Sequence, residues 1–172
     1  MTLCVTCPRQ WKAISNSQER CFETAASKGR FLLERHGIEQ FLDFYESPEE
    51  VSVYEFEQTP KISTYLFAVC AGNFRTLEDH DGMYPAQRIF VRQSLFENLR
   101  SELIFGVTKT TIDFYQKSFG IRYPFTKIDH VMCPDYKHGA MENVGCITYS
   151  DQLMCASKHM SVPQLTFVVV VI

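Results

Sequence analysis

The chain has 172 residues, of which 45% are hydrophobic and 22% charged, with a formal net charge of −3. This balance excludes disordered and collagen-like classes, and the length accommodates one ordinary domain or parts of two. Lys and Arg are scattered and form no basic block, so nucleic acid is set aside as a partner.

Residues 1–8 alternate apolar and polar as a strand does, and extended character resumes from Trp11 to Ser15. The chain is therefore expected to open inside a sheet. Cys4 and Cys7 form a C-x-x-C pair, but strand alternation sends their thiols to opposite faces, as two ordinary strand cysteines. Residues 16–30 are polar with Gly29, which suggests a surface connection. Ile38, Phe41, Leu42 and Tyr45 then mark one face of a helix that Ser47-Pro48 stops.

The period changes to two at Val51, Val53 and Glu55, and Thr59-Pro60 breaks that run. Residues 63–69 are β-branched and aromatic and read as a strand ending near Gly72-Asn73. Residues 75–86, polar with Asp81-Gly82 and Pro85, read as a turn before a strand over 88–93. The strongest helix covers 102–119, where Ile104, Thr108, Ile112, Tyr115 and Phe119 make a stripe and Gly120 takes the C′ position. Two strands, 127–133 and 146–150, flank a loop at 139–143. The apolar run 167–172 has six residues against the roughly 20 that span a bilayer, so it is a buried strand or the opening of a buried helix and no membrane segment. The change from mostly sheet to mixed helix and strand places a domain border near residues 73–88.

Seven cysteines, at 4, 7, 21, 70, 133, 146 and 155, are odd in number and irregular in spacing, and no secretory segment precedes them. Reduced thiols and a cytoplasmic location follow as expectations. The histidines at 36, 80, 130, 138 and 159 include no two within three to five residues, so no compact zinc pattern is present and no metal ligand is assigned. A Cys/His nucleophilic pair has no local signature either.

The loop Gly139-Ala140-Met141-Glu142-Asn143 carries the most chemistry. Small residues at 139 and 140 let the backbone approach an extended peptide, and Glu142 suits recognition of an α-ammonium through a charge-assisted hydrogen bond. Met141 suits an adjustable apolar pocket. Residue chemistry alone leaves the bland alternative open, a plain hairpin loop with Glu142 and Asn143 facing water.

Those five residues, followed by Gly145 and Ile147-Thr148-Tyr149, resemble the exopeptidase loop of the M1 zinc aminopeptidases. Phe119 to Phe125 with Lys127-Ile128-Asp129 resembles the segment leading into that loop. Gln58 to Leu66 resembles the passage between the family's N-terminal β-domain and its catalytic domain, and Trp11 with Ala13 to Asn16 a strand of that β-domain. The resemblance implies an α+β chain. Residues 1–75 would be the C-terminal part of an antiparallel β-domain, with a helical insertion at about 19–50, and 76–172 the first part of a thermolysin-like catalytic domain.

It further implies a zinc-dependent aminopeptidase, acting on peptides with a free N-terminus. Glu142 would hold the free amine, Gly139 and Ala140 the peptide backbone, and Met141 would border the first side chain, with Asn143 completing the substrate-binding loop. The Zn2+ ligands are expected beyond Ile172, so no catalytic residue is assigned within the chain and the 172 residues alone are expected to be inactive. The run 166–172 resembles the lead-in to the family's zinc helix, which favours helix over strand there. A non-catalytic peptide-binding or assembly subunit on the same scaffold is the alternative. The leukotriene-A4-hydrolase type is disfavoured because that branch carries a second glycine where this chain has Ala140.

Overall fold

In the computed structural model the described residues are 2–23, 32, 34–37, 51–155 and 160–172. They form an α+β fold with three sheets. β1 (Leu3–Pro8) and β3 (Glu19–Glu23) flank β4 (Val51–Phe56) in an antiparallel sheet, and β2 (Lys12–Ser15) pairs antiparallel with β5 (Val69–Gly72). The largest sheet has five strands in the order β6-β7-β8-β10-β9: Phe74–Asp79, Ala86–Arg92, Lys127–Cys133, Cys146–Ser150 and Ala140–Met141. β7, β8 and β10 run parallel; β6 and β9 are antiparallel additions at the two edges.

Helix α1 (Ser101–Phe119) provides the crossover from β7 to β8, as a parallel pair requires. Ile104, Thr108 and Ile112 are buried as the stripe predicts, whereas Phe119 at its end is exposed. Gly120 closes the helix in the left-handed region at φ 70°. A short helix, α2 (Asp151–Met154), follows β10, and α3 (Val162–Val171) comes last. The strand alternative for 167–172 is thus overturned. Ser161 and Gln164 form a reciprocal capping box with proline in the first turn, and this start signal outweighs the valines' β preference. No helix among the described residues is long and apolar enough to cross a membrane.

The strands of the large sheet divide by parity. Ile89, Val91, Ile128, Met132, Ile147 and Tyr149 turn to α1 and α3, packing on Ile104, Ile112 and Val168 in the main core. Phe90, Val131 and Cys146 face the other way, onto Ile14 of β2. In β1, Cys7 and Cys4 enter different clusters, as their separation of three predicts.

Three expectations are corrected. Residues 16–30 include strand β3, because β4 is buried along nearly its whole length and β3 supplies hydrogen bonds to its second edge; Phe22 packs toward Val53 and Leu32. Residues 63–69 are not a strand: Thr64–Leu66 is a 3-10 turn and pairing starts only at Val69. Backbone groups there are taken by side chains, with the Leu66 carbonyl and Ala68 amide bound to Asn16 and the Ala68 carbonyl to Ser15. Residues 75–86 are a turn only from 80 onward, because Phe74–Asp79 pairs with β7 and sends Leu77 into the main core. The Asp81 side chain makes that turn by accepting from the amides of Met83 and Tyr84. The helix read at 38–45 lies outside the described residues.

Candidate functional site

The chain leaves β8 at Cys133, turns at Asp135 with φ 53°, and returns through β9 to β10. The loop at 139–143 therefore contains a two-residue strand at the outer edge of the large sheet. Ser150 donates its amide to the Gly139 carbonyl at 3.0 Å, and Ala140 lies opposite Tyr149. Hydrogen-bonded pairs alternate in an antiparallel ladder, so the amide and carbonyl of Ala140 point away from β10, toward the open edge. That edge can accept one more extended strand.

Each residue of the loop has its own setting. Gly139, Ala140 and Met141 are half-buried, and Ala140 packs on the main core. Glu142 is exposed, and its carboxylate has no hydrogen bond or ion pair with a described residue. Asn143 is buried and turned inward: its amide donates to Thr148 Oγ1 at 3.2 Å, and its carbonyl accepts from the Cys146 amide at 3.0 Å. Thr148 in turn donates to Tyr136 Oη at 3.3 Å, and the Tyr136 ring meets His138 edge-on.

The far end of the loop is tied to the N-terminal sheets. Asn16 donates to the Val144 carbonyl at 2.7 Å and to the Leu66 carbonyl at 2.8 Å. Gly145 adopts φ +66°, with its Cα so near the Asn16 carbonyl that any Cβ would overlap it. Lys127, only 2% exposed, points its ammonium at the carbonyls of Ser15 (2.7 Å) and Gly145 (2.6 Å) and at Asp129 Oδ2 (2.5 Å). Asp129 is fully buried and also takes a bidentate grip from Arg88, both contacts at 2.7 Å. Arg88 reaches on to Glu19 of β3. Burial pulls the Arg88 guanidinium's pKa down, but the bonds to Asp129 and Glu19 outweigh it and the net shift is upward. Two cations and two carboxylates thus balance where all three sheets meet beneath the loop.

Sequence reading missed Asn16, Glu19 and Arg88 as members of this support. The available signal was the alternation Lys127-x-Asp129 inside an apolar strand, which demands buried counter-charges. It does not say which distant residues supply them.

Among the described residues no three His, Cys, Asp or Glu side chains are grouped to hold a metal. His130 is fully buried under α1, with Nδ1 3.0 Å from Tyr149 Oη and Nε2 3.4 Å from Thr108 Oγ1. Thr108 spends its proton on the Ile104 carbonyl, so it accepts from Nε2–H and Tyr149 donates to Nδ1. Burial lowers the His130 pKa to about 3, consistent with that neutral form. His138 lies on the exposed loop, away from this buried face. The described residues do not fit a zinc site.

The model of the Peptidase family M1 domain matches residues 104–172. "Leucyl aminopeptidase" of Saccharolobus solfataricus is 33% identical over 151 residues, 84% of this chain and 19% of that protein. "Aminopeptidase N" of Streptomyces lividans is 39% identical over 110 residues, 62% of this chain and 13% of the relative. "Aminopeptidase N" of Canis lupus familiaris is 33% identical over 103 residues, 60% of this chain and 11% of the relative. The chain thus spans a fifth or less of the length of these curated relatives. With a family-model match across α1, β8, the loop and α3, and relatives named aminopeptidases at 33–39% identity, the chain belongs to peptidase family M1, a family of hydrolases.

Proposed function

We propose that this chain forms the part of a zinc aminopeptidase that recognises the free N-terminus of a peptide, with residues 139–143 as the recognition loop. The observation that carries this reading is an exposed carboxylate, Glu142, without a partner among the described residues, directly after a two-residue strand whose outer edge no described strand covers. A peptide adds as a strand along Gly139 and Ala140, exchanging hydrogen bonds with the outward amide and carbonyl of Ala140. Its α-ammonium donates to Glu142, and Met141 borders the first side chain. Asn143 acts from below, holding the turn through Thr148 and Cys146.

Zinc, when bound, supplies the activated water of such a hydrolysis, and its ligands belong to residues other than those described here. On this reading residues 1–75 belong to a β-domain and 76–172 to the first part of a thermolysin-like catalytic domain; the change from the two smaller antiparallel sheets to the large sheet, which begins with β6 at Phe74, supports it. Without the metal-bearing part, the 172 residues bind peptide ends and do not cleave them. Unpaired thiols at all seven cysteines support a cytoplasmic location.

The test is steady-state hydrolysis of an alanyl or leucyl reporter by the intact protein, wild type against Glu142→Gln. A charge-assisted hydrogen bond contributes about 1.5–3 kcal/mol, so KM is expected to rise roughly 10- to 150-fold. N-acetylated peptide should compete poorly with wild type, and the variant should no longer distinguish acetylated from free peptide. An unchanged KM, or equal competition by acetylated peptide in the wild type, overturns the reading.

A further inference from the structure

Tyr136 lies ahead of Gly139, outside the five-residue loop, yet the structure ties it to both ends of that loop. At the entry, its ring meets the His138 ring edge-on, with centroids 6.0 Å apart. At the exit, its hydroxyl oxygen accepts a hydrogen bond from Thr148 Oγ1 at 3.3 Å. Thr148 in turn accepts one from the Asn143 side-chain amide at 3.2 Å. One half-buried side chain thus joins the segment before Gly139 to the residue after Glu142.

Thr148 is the pivot of this chain of hydrogen bonds. It lies opposite Met141 in the β9–β10 pairing and is only 6% exposed, so the link runs beneath the loop. Asn143 is fixed twice, by its side chain on Thr148 and by its carbonyl on the Cys146 amide. The exposed Glu142 therefore stands between two anchored neighbours, Met141 of β9 and the inward-turned Asn143. How firmly residue 143 is held sets the direction of the carboxylate beside it. Tyr136 supplies the last link. With the phenol oxygen present, the Thr148 proton has an acceptor and its lone pairs stay turned to Asn143. Without it, that hydroxyl rotates toward another acceptor and the Asn143 amide loses an oriented partner.

We propose that Tyr136 is a positioning residue for amine recognition: its hydroxyl, acting through Thr148 and Asn143, holds the Glu142 carboxylate where the peptide's α-ammonium arrives. This role rests on Glu142 being the amine-binding group, and it gives a cause for the carboxylate's placement. Tyr136 contributes as a neutral hydrogen bond does, so its loss weakens binding of a free amine by about 2- to 12-fold and leaves other peptide contacts alone.

The intact protein is assayed for steady-state hydrolysis of the leucyl reporter, with N-acetylated peptide as inhibitor. Tyr136→Phe keeps the ring against His138 and removes only the hydroxyl. Its KM is expected to rise about 2- to 12-fold with kcat unchanged, while the inhibition constant for acetylated peptide stays at the wild-type value. Thr148→Val cuts both links and should raise KM further, and adding Tyr136→Phe to it should change nothing more. Thr148→Ser keeps the hydroxyl and should bring KM back toward wild type. An unchanged KM in Tyr136→Phe overturns the proposal. So does an equal loss for free and acetylated peptide, the mark of a loop merely loosened. Glu142→Gln in the same assay separates the two readings. If it raises KM while Tyr136→Phe does not, only the positioning role fails; if it leaves KM unchanged, amine recognition fails and positioning with it.

Discussion

Gly145 and Asn16 touch where no side chain fits between them: a Cβ on Gly145 would stand 2.4 Å from the Asn16 carbonyl oxygen. Residues 129 positions apart in sequence are thereby fixed to one backbone-to-backbone distance. Gly145 also needs φ +66°, so the position is restricted twice over.

Gly145→Ala should therefore cost about 1–2 kcal/mol for the left-handed backbone and roughly 1–3 kcal/mol more for the overlap. Urea unfolding of the intact protein measures the loss. Because relief requires Val144 to move, peptide affinity should fall along with stability; a variant with wild-type stability and affinity would show that the contact is not maintained.

Asn16 closes the other side of the same joint with three hydrogen bonds, to Val144, Leu66 and Ala68. Asn16→Ala leaves buried backbone groups unpaired and should lose about 2–3 kcal/mol. Asn16→Asp should be at least as damaging, since its oxygens would face two carbonyls. Hydrogen exchange should report the loosening at residues 144–146 in both variants.

The buried charges predict an order of effects. Asp129→Asn removes the carboxylate shared by Arg88 and Lys127 and should cost about 3–5 kcal/mol. Lys127→Met should cost less, because Arg88 still neutralises Asp129. Denaturant midpoints of the two variants test that ranking, which fails if the methionine variant is the less stable.

His130 gives a pH dependence with a definite sign. Its pKa is depressed by burial from 6.5 to about 3, so the unfolded chain takes up a proton before the native one does. Stability contributed by the neutral imidazole is complete above about 6.5 and declines as pH falls toward about 3, by about 1.4 kcal/mol per unit between those limits. Denaturant midpoints for wild type and His130→Gln should diverge at neutral pH and converge in acid; parallel curves would dismiss the titration.

How far the sequence can be read is seen at particular elements. α1, β8 and β10 follow from local pattern, since Ile104, Thr108 and Ile112 repeat at helical spacing and Gly120 ends the helix where an αL residue is needed. The loop at 139–143 stands out for its small residues and its lone acid. β3 and β6 escaped because polar composition suggested turns, and the reason they are strands is the neighbours that pair with them. Residues 63–67 failed in the opposite sense, as a strand-forming composition without a strand partner.

Sequence by itself therefore determined the main periodic elements, the position of the loop at 139–143 and the family, because side-chain period and a five-residue motif are local properties. Tertiary structure decided what stands beneath that loop. Asn16, Glu19, Arg88, Lys127 and Asp129 become one support only when three sheets meet, since hydrogen bonds and buried ion pairs depend on distance in space and leave no periodic trace along the chain.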